Sequence, residues 1–193
     1  MRVVQESKWR YPRTPQYSEV EARWSSSSRR VLEIGCGVGF HPISLAQENP
    51  DHLIVAIERT REKFEKFQGR LNKHDLSNLV GIQADVVPWL VHAPGDFLFH
   101  KIWLLYPNPE KNNANQRWLR SPSFALIIKR LVKSGELELA TNLRWYAEEA
   151  ADCAQRIWGL RVSFFEYQGP ARSHFEKKYL QRCEACWGLR IEL

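Results

Sequence analysis

The chain has 193 residues, 44% hydrophobic and 26% charged, enough for one domain with its own core and without the bias of a low-complexity protein. Its 28 lysines and arginines against 22 acids leave a net charge of +6, compatible with a polyanionic partner without requiring one. No charged-then-apolar leader opens the sequence and no run approaches the roughly 20 apolar residues of a membrane span, so a soluble, cytoplasmic protein with no membrane partner is expected.

The cysteines, Cys36, Cys153, Cys183 and Cys186, are too few and too scattered for a disulfide framework. Cys183 and Cys186 form one CxxC, but a structural zinc needs four ligands and neither a second CxxC nor an HxxxH is present. No metal is expected, and both cysteines read as ordinary residues of a late strand.

Residues 1–29 mix Lys8, Arg10, Arg13, Arg23 and Arg29 with Trp9, Tyr11, Tyr17 and Trp24, broken by Pro12, Pro15 and the run Ser25 to Ser28. Two readings stand side by side: a basic and aromatic arm for phosphate contact and base stacking, and a short helix from about Pro15 to Trp24 over the mouth of a site. Residues 30–193 then form the domain.

That domain opens on Val31-Leu32-Glu33-Ile34-Gly35-Cys36-Gly37-Val38-Gly39-Phe40, apolar residues suited to a buried strand followed by three alternating glycines. Pro42 falls where a helix can begin, and Asn49-Pro50 stops it. A dinucleotide loop requires GxGxxG, but Phe40 stands where its third glycine belongs. The observed E-x-GxGxG favours S-adenosylmethionine, whose sulfonium, amino group and ribose attract carboxylates. Glu33, Gly35, Gly37 and Gly39 are therefore the first cofactor candidates.

Leu53 to Ile57 makes a second strand ending in Glu58, placed to meet the ribose hydroxyls, and Arg61 to His74 an amphipathic helix with Phe64, Phe67 and Leu71 inward and a solvated charged remainder. Leu79 to Ala84 makes a third strand. Asp85 follows it, either beside the adenine or as the cap of a helix from Val86 to Val91. Phe97 to Leu105 is the most apolar run and the expected central strand; it ends in Tyr106-Pro107-Asn108-Pro109, whose prolines fix the loop and project Asn108 where chemistry is expected. Glu110 to Arg120 reads as a mobile loop whose Lys111 and Arg117 can clasp phosphates.

Ser121-Pro122 starts a helix carrying Phe124, Leu126, Ile127, Leu131 and Val132 up to Gly135, and Glu136 to Ala140 is a fifth strand ending in Thr141-Asn142. A helix over 143–158 and two strands over 161–167 and 179–192 complete the chain. The alternation predicts an α/β, three-layer, doubly wound and mostly parallel seven-stranded sheet with an antiparallel last strand, the Rossmann-like topology of class I methyltransferases.

From Glu33 to Glu176 the motifs resemble those of the bacterial tRNA (guanine-N7)-methyltransferase family. The resemblance implies S-adenosylmethionine on Glu33, Glu58 and Asp85, tRNA as partner, and substrate motifs at Gly135 to Tyr146 and Phe175-Glu176. Asn108 and Asn142 would hold guanine, with Asn108 at the reaction, and Ser173 and Glu176 would complete the pocket. The family's Phe-Pro-Asp-Pro-Trp is Tyr106-Pro107-Asn108-Pro109-Glu110 here, Asn142 replaces a second Asp, Ser173 replaces a Thr, and the basic run is thinned to Lys111 and Arg117.

Guanine N7 carries its lone pair without deprotonation, so amides can still orient the base. Losing two carboxylates near a cationic product, however, implies a cost on the order of 10²-fold in rate. A same-fold methyltransferase with another RNA or a small-molecule substrate, and a non-catalytic RNA-binding or partner subunit, are the alternative expectations.

Overall fold

The computed structural model describes Trp9, Arg10, Pro12, Arg13 and residues 15–193; Lys8 and Tyr11 of the basic and aromatic stretch lie outside the described residues. A short helix, α1 (Tyr17–Trp24), leads into β1 (Arg29–Ile34), α2 (Phe40–Glu48), β2 (His52–Glu58), α3 (Arg61–Leu71), β3 (Leu79–Gln83), α4 (Val86–His92) and β4 (Phe99–Leu105). After two 3-10 turns come α5 (Phe124–Lys129), β5 (Leu131–Thr141), α6 (Arg144–Arg156), β6 (Arg161–Glu166), α7 (His174–Gln181) and β7 (Trp187–Glu192).

The seven strands order as β3-β2-β1-β4-β5-β7-β6. β1 to β5 run parallel and β7 runs antiparallel to both its neighbours, as the alternation of strands and helices predicts. The continuous apolar run of β2 exists because both its faces are covered: Leu53, Val55 and Ile57 join the larger core with Trp89, Phe124 and Ala147, while Ile54 and Ala56 join a smaller one with Ile43, Ala46 and Phe67. No helix among the described residues is long and apolar enough to cross a membrane.

Two expected elements are corrected. The helix expected to run through Leu131 and Val132 to Gly135 ends at Lys129, and β5 starts at Leu131. The pairing explains it: Phe99 lies opposite Leu131 and Lys101 opposite Glu136, so residues 132–135 bulge out against His100 alone. Gly135 marks that return, since a Cβ there would stand 3.0 Å from the Val132 carbonyl and 3.1 Å from that of Phe99. The strand expected over 179–192 is instead α7, a turn holding Cys183, and β7. Ser173 caps α7, its Oγ accepting from the Glu176 N–H at 3.1 Å.

The N-terminal aromatics spend their faces on the core. Trp24 stacks on Phe97 at 4.3 Å, the Tyr17 hydroxyl donates to the Trp89 carbonyl at 2.7 Å, and Trp89 Nε1 donates to the Pro15 carbonyl at 2.8 Å. Tyr17 and Trp24 thus brace the flank of α4, and α1 is the short helix expected for this stretch.

The third glycine of the loop is fixed by packing. Gly39 has φ +79° and caps α2, and a Cβ there would collide with the Phe67 ring of α3. Gly39→Ala is expected to destabilise the fold by about 2 kcal/mol or more, whereas Gly69→Ala, inside α3 with open space around it, gains about 0.5–1 kcal/mol. Thermal unfolding of the two variants checks both signs.

Candidate functional site

The strand order reverses between β1 and β4, and there a cleft of about 980 Å³ opens over the carboxyl ends of the strands. Its two halves are built differently.

One half rests on backbone. The Gly35 and Cys36 N–H groups both donate to the Ile57 carbonyl, at 2.8 and 3.1 Å, locking the glycine loop onto the end of β2. Gly35 and Gly37 have φ of +75° and +61°, line the cleft, and have open space where a Cβ would stand. Glu58 lines the same wall, one carboxylate oxygen accepting from the Gly37 N–H at 2.9 Å and the other from the Thr60 N–H at 2.7 Å. A carboxylate clamped in this way keeps further lone pairs for a diol or amine, which no side chain free to rotate would present as rigidly. Asp85 is the expected cap, its Oδ1 accepting from the Val87 N–H of α4 at 3.0 Å, and it also lines the cleft.

Glu33 and Gly39 are not among the lining residues. Glu33 is buried against α2, its Oε2 hydrogen-bonded to His41 Nδ1 at 2.8 Å. Side chains alternate along a strand, and Glu33 shares the face of Val31, which packs on α2. Cys36 is buried there as well; burial, then the charges of Glu33 and Glu58, push its thiol well up, so it stays protonated and packs as an apolar residue.

The other half rests on side chains. Tyr106 follows β4 with φ +52°, strained for a bulky residue and held by its N–H donating to the Ala140 carbonyl at 2.8 Å. Its ring lies 5.4 Å from that of Tyr179 and 6.5 Å from that of Phe175, and all three line the cleft. The Tyr106 hydroxyl donates to Glu176 Oε1 at 2.9 Å. Burial, with Cys186 and Glu176 adding to it, pushes the phenol up, so it remains a donor. Glu176 is fully buried and accepts from the Arg172 N–H at 2.6 Å, its Nε at 3.0 Å and its Nη2 at 2.7 Å. It therefore acts behind Tyr106 and does not line the cleft; Ser173, spent on the cap of α7, does not either.

Asn108 and Asn142 do face the cleft. Asn108 Nδ2 donates to Glu110 Oε1 at 2.9 Å, and Asn142 Nδ2 donates to Glu184 Oε2 at 3.1 Å. Lys111 lines the cleft, but Arg117 is taken: it donates to both oxygens of Glu149 at 2.8 and 3.0 Å and to the Pro109 carbonyl at 2.9 Å, with Arg120 on the same carboxylate. Arg117 clamps the 110–120 segment onto α6 instead of reaching out for phosphates, and the segment folds into two 3-10 turns, Ala114–Gln116 and Trp118–Arg120.

Two cations missed in the sequence do line the cleft. Arg59 and Lys63 line the cleft beside Glu58, and neither forms an ion pair with a described residue. Lys63 stands in what periodicity marks only as the charged outer face of α3; its neighbours Arg61 and Lys66 are paired with Glu65 and Glu62, so the unpaired cation is the distinguishing signal.

Residues 27–167 match the model of a family described as "Putative methyltransferase". The chain is 33% identical over 128 residues to the tRNA (guanine-N(7)-)-methyltransferase of Nocardioides sp. (strain ATCC BAA-499 / JS614), an alignment covering 65% of this chain and 52% of that one. It is 30% identical over 165 residues to the enzyme of the same name from Hyphomonas neptunium, covering 81% of this chain and 75% of that one. It spans about half the length of several of the curated relatives it matches. Among solved structures, the 16S rRNA methyltransferase KamB superposes with a TM-score of 0.70 at 17% identity, covering 91% of this chain and 93% of that one, a likeness of fold.

The clamped carboxylate is the directly testable part of the backbone-built half. Glu58→Gln leaves an amide that cannot accept from Gly37, Thr60 and a diol together, and calorimetry is expected to find S-adenosylmethionine bound about tenfold more weakly, with the fold retained.

Proposed function

On the premise that the chain belongs to the methyltransferase family matched by residues 27–167, with relatives named tRNA (guanine-N(7)-)-methyltransferase, we propose that it methylates N7 of a guanine in tRNA. The observation that carries the proposal is the single cleft at the β1/β4 reversal, which joins the glycine loop and Glu58 to an aromatic and amide wall. Open space at Gly35 and Gly37 and the fixed acceptors of Glu58 and Asp85 fit S-adenosylmethionine, which when bound supplies a methyl group on a sulfonium.

The chain's own residues then have positioning to do and no proton to remove at N7. Tyr106, Phe175 and Tyr179 offer ring faces on which a base can stack, worth about 1–3 kcal/mol per base. Asn108 and Asn142 orient the base at the strand ends. The strained Tyr106 backbone and its buried anchor on Glu176 keep that wall from drifting as the base enters, which is what alignment with the methyl group demands.

Arg59, Lys63 and Lys111, on opposite lips of the cleft, are positioned for tRNA phosphates, while Arg117 and the packed aromatics of α1 are not. We place the activity in residues 30–193 with residues 1–29 as an accessory, and the cytoplasm as its setting. RNA binding through these cations also separates tRNA from a small-molecule substrate, because only the former weakens steeply with salt.

Incubation with labelled S-adenosylmethionine and bulk tRNA lacking this modification, followed by nucleoside analysis, is expected to yield 7-methylguanosine, with transfer falling by at least tenfold as salt rises from about 50 to 200 mM. Cofactor binding without label in RNA would refute the proposal; salt-insensitive labelling of another nucleoside or a metabolite would redirect it.

A further inference from the structure

Asn108 and Asn142, at the strand ends of the acceptor half, each donate to a carboxylate. Asn108 and Glu110 are close in sequence, and their mutual hydrogen bonds, 2.9 Å from Nδ2 and 3.3 Å back from the Glu110 N–H, close a local turn. The second pair is not local: Asn142, after β5, donates to Glu184, which lies 42 residues away in the turn before β7. A carboxylate accepts and cannot donate, so Glu184 forces the amide nitrogen of Asn142 toward itself. The opposite atom, Oδ1, is left without a partner among the described residues, on a side chain that lines the cleft. An asparagine without such a neighbour presents oxygen or nitrogen about equally well.

The chemistry of guanine makes that polarity matter. Its N1–H and exocyclic N2 amine are donors, so the edge opposite N7 asks for acceptors, and it acquires a positive charge when N7 is alkylated. A fixed amide oxygen answers the first requirement. A negative charge one hydrogen bond behind it answers the second without placing a bare carboxylate in the cleft.

We propose, resting on the tRNA-guanine reading above, that Glu184 is a positioning residue for the transfer: it holds Asn142 with Oδ1 toward the N1–H and N2 edge of the acceptor guanine and supplies negative charge opposing the cation formed there. Glu110 serves Asn108 in the same electrostatic sense. The chain thus keeps two carboxylates at the acceptor end of the cleft, Glu184 behind Asn142 and Glu110 beside Asn108 on the lining itself.

Exchange of the two groups tests this. Glu184→Gln can donate or accept, so it frees Asn142 to turn over and removes the charge; kcat/KM for tRNA is expected to fall about tenfold or more. Asn142→Asp alone sets two carboxylates about 3 Å apart, with Arg182 Nη1 3.9 Å from Glu184 Oε1 as the one cation facing them among the described residues; the pair favours holding one proton, and transfer is expected to depend on pH more steeply than in the wild type. The double variant, Asn142→Asp with Glu184→Gln, restores one donor, one acceptor facing the cleft and one charge, and should recover to within about threefold of wild type. S-adenosylmethionine affinity, measured by calorimetry, should stay within about twofold in all three. A double variant no better than the worse single, or a Glu184→Gln protein as active as wild type, would overturn the assignment of Glu184. No transfer to tRNA guanine by the wild type itself would overturn the reading on which it rests as well.

Discussion

A carboxylate sealed from water needs a donor for each of its lone pairs, and Glu176 is sealed in this way. Arg172 supplies three N–H donors and Tyr106 a fourth. Arg172 is in turn paired with Glu138 on β5, which also accepts from Lys101 on β4 at 2.9 Å, and Lys101 reaches Glu136 at 2.8 Å. Burial opposes the charge on both Arg172 and Glu138. The partners prevail, raising the arginine and lowering the acid, so both favour their charged forms. Removing Arg172 would leave Glu176 buried without a cation, at a cost of about 3–5 kcal/mol. This chain ties β4, β5, the segment before α7 and α7 itself to one another, and its last link is the hydroxyl of the residue that forms the wall of the cleft.

The two halves of the cleft consequently have different physical origins. The half read here as the cofactor seat is made of backbone conformation: left-handed glycines, N–H groups donating to Ile57, and a carboxylate held by Gly37 and Thr60. Such a seat follows from a few consecutive residues and the parallel pairing of β1 with β2. The acceptor half is made of side chains from β4, β5, α7 and the turn after it, brought together only by the complete sheet. Its geometry is set by long-range ion pairs and by the Asn142–Glu184 contact.

That difference decides what can be read in the sequence. The glycine loop, the acids at the ends of β2 and β3, the central strand and the antiparallel last strand are all visible, because each depends on local pattern or on the handedness of strand–helix alternation. Gly135 reads as a helix stop because nothing nearby discloses that residues 132–135 must bulge opposite His100. Ser173 reads as a pocket residue and is a cap; Arg117 reads as a phosphate clasp and is held by Glu149, a partner 32 residues away. Glu33 carries the right chemistry for a ligand, but strand alternation turns it to His41, a partner unmarked by any spacing rule. The amides at 108 and 142 look like lost charge until Glu110 appears beside one and Glu184 behind the other, and only the latter contact needs the tertiary fold to be seen.

If the halves are built independently, disturbing the anchor of one should leave the other untouched. Glu176→Gln keeps the shape of the buried side chain while removing its charge from Arg172 and Tyr106. Calorimetric titration of that variant with S-adenosylmethionine measures the separation directly. A dissociation constant within about twofold of wild type, in a protein whose methyl transfer is impaired, is the result the two-part cleft predicts; cofactor binding weakened about tenfold or more, in step with the loss of transfer, would contradict it.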